Sequence, residues 1–245
     1  MSSESETIRI GPRKDDSFIK EVMALLPEEG NLNLCLTCGL CASGCPATGI
    51  RNMDPRKFLR MAALGLDEEV RKSEWAWMCT MCQRCIKACP MNVDIPQLVF
   101  NVRSRWPREQ QPKGIRGSCD MAFKNDTCSA MGASEEDFAF VVEDVLEEYR
   151  ETQPEFSEMK APIDKKDAKF VLNQNSREPV TEPDEMVPLW KILHLVGADW
   201  TYASKGWAAE NYCLFCGDLE KWERNVRIKA NAVDALGAKY WLNTE

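Results

Sequence analysis

Cys35-Leu36-Thr37-Cys38-Gly39-Leu40-Cys41-Ala42-Ser43-Gly44-Cys45-Pro46 recurs 44 residues on as Cys79-Thr80-Met81-Cys82-Gln83-Arg84-Cys85-Ile86-Lys87-Ala88-Cys89-Pro90. Both runs read C-x-x-C-x-x-C-x-x-x-C-P, the spacing that holds [4Fe–4S] clusters in two-cluster ferredoxins. Each iron of such a cube lacks one ligand and takes a soft, negatively charged thiolate. Gaps of two residues let a tight loop wrap three irons, and the fourth thiolate must come from elsewhere. In tandem arrays the fourth cysteine crosses to the other cluster. The expected ligand sets are therefore Cys35, Cys38, Cys41 and Cys89 for cluster 1, and Cys79, Cys82, Cys85 and Cys45 for cluster 2. Pro46 and Pro90 end the loops, and Gly39 admits a backbone conformation closed to other residues. Backbone N–H groups are expected to hydrogen-bond the sulfurs and tune the potential. Zinc, which takes four ligands and favours paired C-x-x-C knuckles, fits two runs of four poorly.

The 33 residues between Cys45 and Cys79 read as helices, Pro55–Leu64 and Asp67–Trp77, broken at Gly65. A short β-rich ferredoxin has no room for them, so the domain is expected to be an α-helical ferredoxin. Trp75, Trp77, Met78, Met81, Leu34, Leu36 and Leu40 are expected to shield the clusters from water.

Beyond the runs, Asp16–Leu26 reads as a helix. Residues 134–160 carry ten acids against Arg150 and Lys160, which accounts for the net charge of −8 of the whole 245-residue chain. Phe138, Val141, Val142, Val145, Leu146 and Tyr149 have helical spacing there, Ser134 and Asp137 resemble an N-cap, and Pro154 marks the end. The acidic face reads as solvated or as a docking surface. Residues 151–188, with five prolines, read as a linker holding one strand, Ala168–Leu172. Two helices, Pro188–Val196 and Asp218–Leu236, and a strand, Lys239–Asn243, complete an α/β unit with some parallel pairing. The fold class is α+β, mostly α: a two-cluster helical ferredoxin domain followed by a partial α/β domain. The expected divisions are an N-terminal arm and helix (1–30), the ferredoxin domain (31–116), the acidic helical segment (117–160) and the partial α/β domain (161–245).

No stretch of about 18 apolar residues is present, so no direct membrane span is expected. The opening MSSESETIRIGPRKDD has no apolar h-region, so no secretory signal is expected. The acidic balance argues against nucleic acid as partner, and no Gly-rich dinucleotide or phosphate loop occurs. Cys119, Cys128, Cys213 and Cys216 leave three readings open: partly buried unligated thiols, a third cluster or zinc site, or a redox C-x-x-C dithiol at Cys213 and Cys216. His194, the only histidine, reads as a packed helix residue. Arg103, Arg105, Arg108, Lys113 and Arg116 read as a solvated basic face or a docking patch.

CLTCGLCASGCP, CTMCQRCIKACP and the helical spacer resemble the C-type component of heterodisulfide reductases, a domain that also opens the fused D-type components. From residue 161, AKFVLNQNSREPV, LWKILHLVGADWTYASKGWAAENYCLFCGD and NAVDALGAKYWLNTE look like the catalytic part of D-type components in membrane-bound electron-transfer complexes of sulfate-reducing anaerobes. The resemblance implies an electron-transfer subunit of an oxidoreductase complex in anaerobic respiration. It also implies a cytoplasmic position at the inner face of the membrane, between a quinone- or cytochrome-linked subunit and a disulfide-type acceptor. That family's catalytic site uses CCG motifs. This sequence has no adjacent Cys-Cys pair, so no disulfide-reducing site carries over, and a truncated or split member is expected. The leading function is a one-electron relay. The alternatives are a disulfide-reducing subunit with an additional iron–sulfur site and a protein whose clusters are structural. The incomplete α/β layer is expected to bury apolar surface against another subunit or a C-terminal continuation.

Overall fold

The computed structural model describes residues 18–244. The chain is α+β and mostly helical, in two compact units that divide between Gln110 and Gln111. This boundary differs from the expected divisions at 116 and 160, because the acidic helix belongs to the same core as the sheet. Residues 1–17, most of the expected N-terminal arm, lie outside the described residues, as do the first two positions of the expected helix at Asp16.

The first unit holds α1 (Phe18–Ala24), α2 (Leu40–Ser43), α3 (Pro55–Ala63), α4 (Asp67–Lys72), α5 (Trp75–Met78), α6 (Arg84–Ala88) and α7 (Ile95–Ser104). In α1, Phe18, Ile19, Val22 and Met23 make one buried face. Asp54 caps α3 by accepting from Lys57 N at 2.8 Å, with Pro55 in the first turn, where a missing N–H costs nothing. Gly65, at φ 70°, ends that helix as expected. The expected helix Asp67–Trp77 is two, because Ser73 takes an extended backbone (ψ 100°) between α4 and α5. Trp75 and Ala76 then enter the core. The most buried helix, α7, lies outside the sequence expectations; Asp94 caps it by accepting from Gln97 N at 2.9 Å. Ile95, Leu98, Val99 and Val102 pack there with Phe58, Leu59 and Trp75, and six of the eight repeat cysteines rest on the same core.

The second unit holds α8 (Lys113–Lys124), α9 (Glu135–Thr152), β1 (Phe170–Asn173), α10 (Glu178–Thr181), α11 (Val187–Leu195), β2 (Trp200–Tyr202), α12 (Tyr212–Cys216), α13 (Leu219–Leu236) and β3 (Tyr240–Asn243). Its sheet has the order β2-β1-β3, all parallel, with Val171 opposite Thr201 on one side and Trp241 on the other. β2 lies outside the sequence expectations: three residues, all buried, are too few to show alternation. α9 follows its pattern, with a full capping box between Ser134 and Asp137 and its apolar face buried. Phe138 stacks on Trp207 at 4.3 Å and meets Tyr202 edge-on at 5.1 Å.

The expected linker 151–188 is ordered structure instead. Pro154, Pro179 and Pro183 sit in the first turns of short helical segments, so prolines that look like linker punctuation mark helix starts. Met159 and Met186 within it are fully buried. β3 leaves Tyr240, Trp241 and Leu242 exposed.

Candidate metal centres

The two cysteine runs share a backbone as well as a spacing. Thr37 and Gly39 of the first run have φ 58° and 83°, and the matching Met81 and Gln83 of the second have φ 56° and 63°. These left-handed turns reverse the chain twice within each C-x-x-C-x-x-C, so that three sulfurs face one space. Glycine serves this at position 39. Gln83 adopts the same conformation at a steric cost, so glycine is not required by both loops. Short helices α2 and α6 follow, and their last residues lead to Cys45 and Cys89.

Two cavities result. Cys35, Cys38, Cys41 and Cys89 line one, together with Gly39, Arg56, Leu59 and Met91. Cys45, Cys79, Cys82 and Cys85 line the other, with Pro46, Trp75, Met78 and Arg84. Each therefore takes three sulfurs from one run and the fourth from the other. Among the described residues no group of three or more His, Cys, Asp or Glu converges on a single ion. The thiols ring a void instead, which suits a four-iron cube better than one zinc. Cys38 and Cys82 are exposed, and the other six are partly buried, so each cavity has one edge toward solvent. Trp75 lines the second cavity, and its buried indole N–H has no partner among the described residues. The donor set and this spare donor fit a sulfur-rich anionic group.

Electrostatics groups the same residues. Burial, then the neighbouring Cys35 and Cys89, pushes the Cys41 thiol up to about 11. Burial, then Cys79, pushes Cys85 up to about 12. Cys79 is also raised by burial, against the lowering influence of the Met81 N–H and Arg103. Four thiolates crowded into one apolar cavity repel one another, so they deprotonate together only against bound cations. Met81 N and Val93 N each donate to a sulfur at 3.4 Å, to Cys79 and Cys89 respectively.

Sequence reasoning misses Arg103. Its expected place on a solvated basic face is corrected, because it is 1 % exposed. It donates to the Ala76 and Cys79 carbonyls and lies over the Trp77 ring. Arg105 faces Glu21 at 3.6 Å. Leu34, Leu36 and Leu40 are corrected in the other direction: they are 48 %, 67 % and 47 % exposed and do not seal the cavities from water. Loops that wrap a centre on their inner side turn these leucines outward. Trp75 is buried as expected. His194 packs edge-on against Phe156 at 6.0 Å.

In the second unit, Cys119, Cys213 and Cys216 form one buried cluster. Cys128, also buried, stands apart from it and donates to the Asn225 carbonyl at 3.8 Å. The four thiols do not make a single set.

Residues 31–93 match the family model of the 4Fe-4S dicluster domain. The same part of the chain is similar to the C-type iron–sulfur components of heterodisulfide reductases. The C-type iron-sulfur component of the CoB–CoM heterodisulfide reductase of Methanopyrus kandleri is 36% identical over 93 residues, 36% of this chain and 48% of that protein. The C2 component of the H(2)/formate:CoB-CoM heterodisulfide,ferredoxin reductase of Methanococcus maripaludis is 34% identical over 77 residues, 31% of this chain and 41% of the relative. The C-type component of the H(2):CoB-CoM heterodisulfide,ferredoxin reductase of Methanothermobacter marburgensis is 31% identical over 104 residues, 42% of this chain and 55% of the relative. The chain spans about half the length of the curated relatives it matches. These likenesses support binding of [4Fe–4S] clusters and an iron–sulfur electron-transfer role for the N-terminal part. Among the described residues no helix is long and apolar enough to cross a membrane.

Proposed function

We propose that this chain is a one-electron relay with two [4Fe–4S] clusters, one held by Cys35, Cys38, Cys41 and Cys89, the other by Cys79, Cys82, Cys85 and Cys45. The observation that carries the reading is the interleaved lining of the two cavities. A [4Fe–4S] cluster supplies reversible uptake of a single electron. The protein's residues do the rest. Leu59, Met91 and Trp75 lower the local dielectric, and Met81 N–H, Val93 N–H and Arg103 favour the more negative state. Cys38 and Cys82, on the exposed edges, are where electrons enter and leave.

The relatives are components of heterodisulfide reductases, which supports a place in a multi-subunit redox complex, and the resemblance of residues 161–245 suggests the partners. They are a quinone- or cytochrome-linked membrane subunit and a cytoplasmic disulfide-type acceptor, with this chain docked at the inner membrane face. The first unit, up to Gln110, serves as the relay part and the second, from Gln111, as the docking part.

Anaerobic reconstitution with iron and sulfide counting and EPR tests the reading. About eight irons and eight sulfides per chain, with an interaction-broadened spectrum on full reduction, are expected. A content near four irons, or zinc in their place, overturns it.

A further inference from the structure

Cys119 on α8 and Cys213 on α12 are 94 positions apart in sequence, yet their sulfurs stand 2.7 Å apart. That is inside non-bonded contact and outside the roughly 2.05 Å of a disulfide. Both are buried, and Cys216, one turn further along α12, completes the cluster with Ile115 and Trp222 around it. The Asn225 amide donates to Cys213 Sγ at 3.7 Å. The two helices pack on each other, which brings the two sulfurs into contact.

We propose that Cys119 and Cys213 form a reversible disulfide that latches α8 to α12, with Cys216 as the neighbouring thiol that exchanges into it. The sequence pairs Cys213 with Cys216 as a C-x-x-C; the structure places Cys119 closer to the reactive geometry.

Hydrogen bonding with Cys213, then with Cys216, holds the Cys119 thiol well below the usual range, with Lys221 assisting, while the same contact and burial raise Cys213. Of the pair, Cys119 is the thiol favoured to lose its proton and attack, and Cys213 the one that resolves the product. A hydroperoxide, small enough to reach a buried sulfur, is the oxidant class. The Cys119 thiolate attacks the outer peroxide oxygen, the O–O bond breaks, and the alkoxide leaves and takes a proton. Cys213 sulfur then attacks the sulfenic acid; the S–S bond forms, and hydroxide leaves with the Cys213 proton as water. In balance, two thiols and one hydroperoxide give one disulfide, one alcohol and one water.

The link has a mechanical target. Ser118 of α8 and Tyr212 and Phe215 of α12 wall a cavity of about 530 Å³. Asn175 and Ser176, which follow β1, and Glu210, which follows β2, close its other side. Ligands of parallel sheets bind outside the carboxyl ends of the strands, so oxidation fixes two walls of the crevice where such a ligand would sit.

The test uses the full chain with its clusters, titrated anaerobically with hydrogen peroxide until cluster absorbance begins to fall. Free thiols are then alkylated under denaturing conditions. Peptides are mapped by mass spectrometry after chymotrypsin, which cuts at Leu214 and Phe215 and so separates Cys213 from Cys216. A Cys119–Cys213 cross-linked pair, lost on adding dithiothreitol and retained in Cys216→Ser, is the expected result. Full alkylation of all three thiols, a dominant Cys213–Cys216 link, or stoichiometric zinc or extra iron that disappears in Cys213→Ser while the N-terminal clusters persist would each overturn the proposal. The wild-type map decides by itself if a variant does not fold.

Discussion

Arg103 reaches from α7 to the backbone of Cys79, donating through Nη2 to its carbonyl at 2.5 Å while Nε donates to the Ala76 carbonyl at 2.7 Å. One buried guanidinium thus ties the helix that leads into the second cysteine run to the helix at the centre of the core. Arg103→Met leaves two buried carbonyls without these donors and removes a positive charge beside the second cavity. It is expected to lower stability by about 2–4 kcal/mol, read from denaturant unfolding. It should also shift the potential of the centre at Cys79 downward, since a nearby cation favours the reduced, more negative state; an EPR-monitored redox titration reads the shift.

Crossed ligation is separable from uncrossed ligation by substitution. Cys45→Ser should damage the centre built mainly by Cys79, Cys82 and Cys85, and Cys89→Ser the one built by Cys35, Cys38 and Cys41. Spectra specific to each cluster are the readout, because loss of either centre also destabilises the fold. Damage confined to the centre of the same run would contradict the assignment.

The matched turns at Gly39 and Gln83 respond oppositely to exchange. Gln83→Gly removes a side chain from a left-handed position (φ 63°), and Gly39→Ala adds one at φ 83°. The first is expected to stabilise the loaded domain by up to about 1 kcal/mol and the second to destabilise it by about 1 kcal/mol. Thermal midpoints of the two reconstituted variants check both signs.

In the second unit, Tyr202 OH accepts from Trp190 Nε1 and donates to Gln174 Oε1, both at 2.7 Å, with Tyr202 wholly buried. Tyr202→Phe strands a donor and an acceptor in the core. A loss of about 1–3 kcal/mol is expected in urea unfolding, without change in cluster spectra.

Cluster loading depends on pH with a definite sign. Cys41 at about 11 and Cys85 at about 12 hold their protons at neutral pH before ligation, so assembly releases protons. Reconstitution is expected to go further at about pH 8.5 than at about pH 6.5, with the iron retained against a chelator as the measure.

Much of the first unit is legible because cysteine carries its chemistry in its identity and its spacing. The repeat names the eight cysteines that line the two cavities, and Ser134 and Gly65 cap or end helices as their local pattern says. Arg103 is hidden because its partners are carbonyls of a segment 24 to 27 positions earlier, which no periodicity reports. β2 is hidden by its length. Proline misleads between 151 and 188, since its first-turn preference and its linker preference look alike in sequence. Cys119 and Cys213 are 94 positions apart, and only the packing of α8 on α12 brings them together.

The interleaving of the two runs also has a consequence for biogenesis. The second cavity lacks its full set of sulfurs until Cys85 has been synthesised, and the first until Cys89, 44 residues after Cys45. At ribosomal rates that interval is roughly 2 to 9 s. Throughout it, the first run is a nascent set of four thiols able to capture adventitious metal or cross-link. Delivery machinery that loads centres only on a finished polypeptide avoids that hazard, whereas loading during elongation must hold back until both halves of the repeat have emerged.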